Sequence, residues 1–171
     1  MTATLLRNFR FSITLRGSAE AQLGFGSQAA AAGSGDTLGD GGFQECSGLE
    51  ISMDVQEINE GGRNNGVIQR VGRAKYAPLV LKRGMFYADD SGVNTDLWQW
   101  LQKVVNGERP VQRYDGVIDV LGDTDDVVAT WVFERGLPSK VTGPQLNAKT
   151  GDISIEEITI AHQGLMLDIG L

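Results

Sequence analysis

The sequence predicts a mostly β fold, a barrel or sandwich of two packed antiparallel sheets, with one flanking α-helix. Three observations predict it. Apolar residues recur at every second position in several short runs, which is the signature of strands with one buried face. The chain carries 23 glycines, many of them clustered, and such punctuation favours turn-rich β architecture over helices. One segment alone, between Asn94 and Gly107, combines helical periodicity with end signals.

The first strand is predicted over Phe9 to Leu15, where Phe9, Phe11, Ile13 and Leu15 alternate with Arg10, Ser12 and Thr14. From Arg16 to Gly42 the pattern vanishes into glycine, serine and alanine, including the run Ala29 to Ala32. That composition buries little apolar surface and is costly to order, so a mobile loop insertion is expected at 16–42. Loops of this length in a compact domain usually serve a function or stay disordered. Ile51, Met53 and Val55 then alternate with Ser52, Asp54 and Gln56, giving a strand with one apolar and one polar face. The turn chemistry of Gly61 to Gly66 returns the chain through Val67 to Lys82, predicting a long hairpin.

The helix is expected from Thr95 to Asn106. Asn94 or Thr95 can cap it, Asp96 suits the positive end of its dipole, and Gly107 sits where helices stop. Leu97, Leu101, Val104 and Val105 with Trp98 form its apolar stripe, and Leu97, Leu101 and Val104 are the expected buried anchors. A second hairpin, Val111 to Leu121 and Val127 to Arg135, surrounds the turn Gly122 to Asp126. Val127 to Phe133 is apolar on both faces and is expected to be a central strand. In the last long strand Ile153 and Ile155 occupy one parity, Ile158 and Ile160 the other. A β-bulge or bend around Glu156 and Glu157 is expected to reconcile them.

A chain of 171 residues suits a single domain spanning 1–171 with a real core. Its net charge of −7 argues against a uniformly basic nucleic-acid-binding surface. Cys46 is the only cysteine, so no internal disulfide framework exists. The N-terminus lacks a basic region followed by an apolar run, and no stretch approaches the ~20 apolar residues of a membrane helix. Folding in the cytoplasm, without membrane insertion by the subunit itself, is the expectation.

Catalytic and ligand chemistry finds little support. Cys46 and His162 formally allow a nucleophilic pair, but a cysteine beside Phe43 and Leu49 reads as a buried small hydrophobe, and His162 as a hydrogen-bonding strand-end residue. Asp123, Asp125 and Asp126 fall short of a calcium loop, and a solvated turn accounts for them. No Gly-Lys-Ser/Thr follows the glycine-rich segment, so it is no phosphate cradle. The one basic stretch is Arg70, Arg73, Lys75, Lys82 and Arg83. It has only Tyr76 as a neighbouring aromatic, and pairing with Glu45, Glu50, Asp54 and Glu57 within or between subunits is the expected role. No catalytic residue, metal site or cofactor is therefore assigned.

Three stretches far apart in the chain carry a resemblance. They are Phe43 to Glu50 (with Glu45 and Ser47-Gly-Leu-Glu50), Tyr76 to Gly84 (with Leu79 and Leu81-Lys-Arg-Gly84), and Ile153 to Leu165. Between the last two come Trp98 and Trp100, then Trp131, Phe133, Gly136, Pro138, Lys140, Gly143-Pro144 and Leu146-Asn-Ala148. In this order and spacing, over roughly 43–167 plus the first strand, the chain resembles the tail-tube protein family of contractile phage tails and extracellular contractile injection systems. A related tube is that of the type VI secretion system.

The resemblance implies a structural inner tube protein. Hexameric rings, with long hairpins forming an inter-subunit β-barrel and the helix outside, stack into a hollow tube that sheath contraction propels through a target envelope. A tube-initiating adaptor ring on the baseplate is the alternative within the family; an enzyme or lytic cargo is the disfavoured alternative of another class. The implied partners are further copies of the chain, the contractile sheath, the baseplate hub, the tail terminator and, transiently, luminal cargo or DNA. The implied location is a phage virion tail or a contractile particle outside or attached to a cell. Within this frame Ser52, Asp54 and Gln56 are the channel-facing candidates. Phe25 and Leu38, sizeable apolar groups of the 16–42 insertion, are the ring-stacking candidates.

Overall fold

The computed structural model describes residues 10–18, 37–38, 42–59, 61–62, 66–88, 92–149 and 151–168. Strand β1 is Phe11–Gly17 and β2 is Thr37–Leu38. β3 is Phe43–Ser47, β4 Ile51–Ile58, β5 Ile68–Tyr76 and β6 Leu79–Gly84. The short β7 (Tyr87–Ala88) and β8 (Gly92–Val93) precede the helix α1, Asp96–Val105. β9 is Tyr114–Leu121, β10 Val127–Thr142, β11 Ile155–Ala161 and β12 Gly164–Asp168. The fold is mostly antiparallel β with one helix, as the alternation predicts.

The architecture turns on β10, which is longer than the Val127 to Arg135 strand read from the sequence. Its first half pairs with β9 on one side and β12 on the other, while its second half pairs with β11. The change of partner falls at a register shift between Phe133 and Gly136. There Arg135 adopts a φ of 54°, its N–H donates to Asp115 Oδ1 at 2.7 Å, and its carbonyl accepts from Arg113 Nη1 at 3.0 Å. A bulge held on both sides in this way bends a strand without leaving its polar groups unsatisfied. Two sheets consequently share one strand. The first runs β2, β1, β9, β10 and β12; the second runs β10, β11, β6 and β3. Side chains of both, Leu15, Ile118, Phe133 and Leu165 with Leu79, Leu81, Ile158 and Ile160, meet in one core. At its centre a Cβ on Gly116 would stand 2.0 Å from the Phe133 ring, so only glycine leaves that ring its place.

Several local expectations are corrected. The insertion at 16–42 is not featureless, because Arg16 and Gly17 continue β1 and Leu38 returns in β2 opposite Leu15. Leu38 is half-buried and packs against the core; an apolar residue paired with buried Leu15 gains more there than in a solvated loop. Phe9 and Phe25 lie outside the described residues. The strand expected to run unbroken from Val67 to Lys82 is two strands, since Ala77 and Pro78 separate β5 from β6, and proline lacks the N–H a continuous ladder needs.

In α1 the buried residues are Leu97 and Trp100, whereas Leu101, Val104 and Trp98 are half-buried and Val105 is exposed. Trp100 wins because its ring meets Tyr114 edge-on at 4.8 Å and its indole N–H donates to the Gln112 carbonyl at 3.0 Å. The N-terminus is closed by Asn94, whose Oδ1 accepts from the Asp96 N–H at 3.1 Å.

The bulge expected at Glu156 and Glu157 is absent. β11 pairs with β6 without interruption from Ile155↔Gly84 to Ile160↔Leu79. Instead Glu156, Ile158 and Ile160 share the buried parity, and Ile153 and Ile155 are exposed. Arg83 makes this possible: its Nε donates to Glu156 Oε1 at 2.6 Å, with both side chains essentially inaccessible. Trp98 Nε1 donates to Glu156 Oε2 at 3.1 Å, and Arg83 Nη2 donates to Asn94 Oδ1 at 3.1 Å. This network ties α1 to the second sheet.

Candidate assembly surface

β4 and β5 form a hairpin that pairs with no other described strand. Every residue of β4 is exposed, although Ile51, Met53 and Val55 are of the kind that sheets bury. The register explains what this hairpin presents. Directly opposed residues of an antiparallel pair point to the same side, and the pairs are Ile51↔Tyr76, Met53↔Ala74 and Val55↔Val71 on one face. Ser52↔Lys75 and Gln56↔Arg70 lie on the other.

Val71 and Ala74 are three residues apart, so strict alternation would place them on opposite faces. A shift opposite Asp54 absorbs the extra residue. Alternating inward from Val71 and from Ala74 sets Gly72 and Arg73 both on the Asp54 side. The bulge thus rephases β5 and collects Ile51, Met53, Val55, Val71, Ala74 and Tyr76 on a single face, with the polar pair Glu57 and Gln69 at its far end. On that face Ile51 is 53%, Met53 48%, Val55 57% and Val71 71% exposed. A contiguous apolar face this open marks a surface that another protein covers.

The polar face carries the sequence-predicted channel candidates Ser52, Asp54 and Gln56, all exposed, together with Arg70, Arg73 and Lys75. Lys75 Nζ pairs with Asp54 Oδ1 at 2.7 Å. Beyond the hairpin, Lys82 pairs with Glu45 at 2.9 Å, as the sequence suggests, while Arg83 takes Glu156, a partner the sequence reading missed. The signal was a charged pair at matching positions of two strand motifs.

The hairpin base is rigidly mounted. Gly48 has a φ of 90°, and a Cβ there would stand 2.1 Å from the Pro78 carbonyl oxygen; both the backbone conformation and the space demand glycine. The Ala77 N–H donates to the Glu50 carbonyl at 3.2 Å. His162, in the turn between β11 and β12, places Nε2 3.0 Å from the Ala77 carbonyl and Nδ1 2.9 Å from the Gly164 carbonyl. Its ring also lies 5.5 Å from that of Tyr76. His162 is a structural pin at a strand end. Cys46 is half-buried against the core, and burial pushes its thiol up to about 11, which suppresses the nucleophilic thiolate at neutral pH.

Elsewhere the geometry offers structural contacts. Asp125 pairs with Arg10 at 2.6 Å, and Asp126 accepts from the Thr124 hydroxyl, which holds its carboxyl below the ordinary range. Among the described residues no cluster of three His, Cys, Asp or Glu side chains suits a metal ion. Among them, too, no helix is long and apolar enough to cross a membrane. A cleft of about 260 Å³ lies between α1 and the first sheet, lined by Leu38, Asp96, Gln99, Trp100, Lys103 and Tyr114 among others.

A compact antiparallel core carrying a rigidly mounted, two-faced hairpin with an uncovered apolar side defines a subunit built to assemble through its strands. The chain belongs to the T4-like virus tail tube protein gp19 family, whose pattern matches residues 7–166. It is a structural tail tube protein. Among solved structures, a chain in the baseplate of the anti-feeding prophage (AFP) is 21% identical and superimposes with a TM-score of 0.76, covering 99% of this chain and 100% of that one. A chain of the sheath-tube complex of an extracellular contractile injection system, PVC, in the extended state is 21% identical with a TM-score of 0.70 over 96% and 92%. An Hcp protein is 12% identical with a TM-score of 0.52 over 93% and 92%. Comparison with curated proteins gives no match.

Proposed function

We propose that six copies of this chain close into a ring by docking the apolar face of each β4–β5 hairpin against a neighbour, with Ser52, Asp54 and Gln56 turned to the central channel. The observation that carries the reading is the collection of Ile51, Met53, Val55 and Val71 on one exposed face. A free hairpin has two unpaired edges, and closure into a barrel removes them. Rings assembled in the cytoplasm stack into a hollow tube, surrounded by a contractile sheath and bounded by a baseplate hub and a terminator. Sheath contraction drives the tube through an envelope without chemistry by the subunit. The baseplate and sheath-tube contexts of the similar chains support these partners. In the 16–42 insertion, Phe25 and Leu38 are the candidates for a ring-stacking contact, Leu38 with one side already against the core.

Met53→Asp combined with Val71→Asp tests the docking. Rings and tubes vanish from electron micrographs while the thermal unfolding of the monomer stays within about 0.5 kcal/mol of wild type, because both sites are exposed. Rings formed by this variant would overturn the assignment. Removing residues 20–35, which spares β2, shortens tubes or leaves single rings if the insertion stacks; tubes of unchanged length and stability refute that role. The AFP baseplate likeness favours a second reading, a tube-initiating adaptor. Indefinitely long tubes from the purified protein support the repeating subunit, and rings that never stack support the adaptor.

A further inference from the structure

We infer that the polar face of the β4–β5 hairpin is an anion-recognising track that fits an acidic polypeptide moving along the channel. This rests on the reading above that the face lines a lumen. The chain has a net charge of −7, yet this face runs the other way. Arg70, Arg73 and Lys75 stand on it within the two strands, against one carboxylate, Asp54. Counting Glu50 at the hairpin base still leaves cations in excess.

Asp54 is committed to Lys75 at 2.7 Å, and among the described residues neither Arg70 nor Arg73 has an ion-pair partner. Both are exposed. The Gly72 bulge is what sets Arg73 on this side, next to Arg70 rather than across the sheet from it. Closure into a ring would repeat two free guanidiniums per subunit around the wall, and stacking would repeat them along it.

The chemistry selects the occupant. A guanidinium fork matches a carboxylate with two parallel hydrogen bonds. Binding of single-stranded nucleic acid would call for aromatic platforms on which bases stack. The face has none, since Tyr76 lies on the opposite face beside His162. Its other members are neutral: Ser52, Gln56 and, at the far end of the strands, the opposed Ile58 and Ile68. Exposed ion pairs are individually weak and screened by salt, so affinity comes from repetition and each contact releases readily. Such a wall retains an acidic protein without immobilising it.

The test uses assembled wild-type tubes and tubes of Arg70→Gln/Arg73→Gln, with Arg70→Lys/Arg73→Lys as the charge-preserving control. Labelled poly-glutamate and an oligothymidylate of equal charge are co-sedimented with each over a salt series. Poly-glutamate is expected to be retained by wild type at low salt, released as salt rises, held about tenfold less by the glutamine variant, and restored by the lysine variant. Equal retention by the glutamine variant overturns the inference. Tighter retention of the oligonucleotide than of poly-glutamate overturns the assigned class of occupant. Failure of the glutamine variant, folded as a monomer, to form rings would instead make this face a subunit contact and overturn the channel-lining reading itself.

Discussion

At the scale of single residues, the Arg83–Glu156 pair is a costly arrangement to bury. Both groups are withdrawn from water, and among the described residues Arg83 Nη1 has no hydrogen-bond partner. Removing one member leaves a buried charge uncompensated, so Glu156→Gln is expected to cost about 3–5 kcal/mol in urea unfolding at neutral pH. Arg83→Met with Glu156→Leu, which removes both charges, is expected to cost far less than the sum of the single changes. Cys46 gives a pH signature. Its thiol titrates at about 11 in the folded chain against an ordinary 9.0. Between these values the unfolded chain releases a proton that the folded chain keeps, so stability falls as pH rises through that window. Cys46→Ala should flatten this part of the pH profile of the urea midpoint; identical profiles would remove the effect. The role of Glu156 was hidden in the sequence because a carboxylate in an apolar alternation reads as a break in phase, and its neutralising partner is 73 residues away. His162 was legible as a strand-end residue from the glycine two positions on, but its second neighbour, the Ala77 carbonyl, was not.

Among the elements, α1 shows what periodicity can and cannot choose. Its span was legible to within a residue at each end, because Asn94, Asp96 and Gly107 are local signals. The choice of anchor was not. Trp100 lies three positions after Leu97 and fits the stripe as well as Leu101 does, and the cross-sheet neighbours Gln112 and Tyr114 decide between them. Trp100→Ala is expected to destabilise by about 3–5 kcal/mol and half-buried Leu101→Ala by less than about 2 kcal/mol. Chemical denaturation of the monomer checks the order, and a larger loss at Leu101 would refute it. The hairpin makes a sharper case. Deleting Gly72 removes the extra residue and restores strict alternation, with Val71 and Ala74, now two positions apart, still on the same side of the ribbon. The expected result is a monomer of nearly unchanged unfolding temperature that still forms rings in electron micrographs; loss of rings would show that the bend of the bulge, and not the shared apolar face alone, is needed for closure. The lone glycine inside a strand was the available sign of this bulge; the rephasing it causes needed the register.

For the whole molecule, fold class was legible because alternation, turn glycines and one helix are local properties. The sharing of β10 was not, since pairing partners are long-range facts and Arg135, the residue that turns the strand, carries no mark in the sequence. The uneven distribution of contacts has a measurable result. The hairpin has few tertiary contacts and opens at low cost compared with the core. Trypsin is expected to cut the isolated subunit after Arg70 and Arg73 well before it reaches core sites such as Arg83. Assembled tubes should resist at the same positions, and equal cleavage in both states would argue against burial of the hairpin in the tube wall.

The shared strand also bears on force. β10 is 16 residues long, a contour of about 50 Å at ~3.3 Å per residue. Its two halves are gripped by different neighbours, so a pull that separates the sheets acts along the strand and strains many ladder hydrogen bonds at once, in shear. Two sheets joined only by a loop would peel apart one bond at a time. On the function proposed above, the tube meets resistance at its leading end, and each subunit must transmit the thrust without opening at its seam. In this chain the seam is a covalent strand.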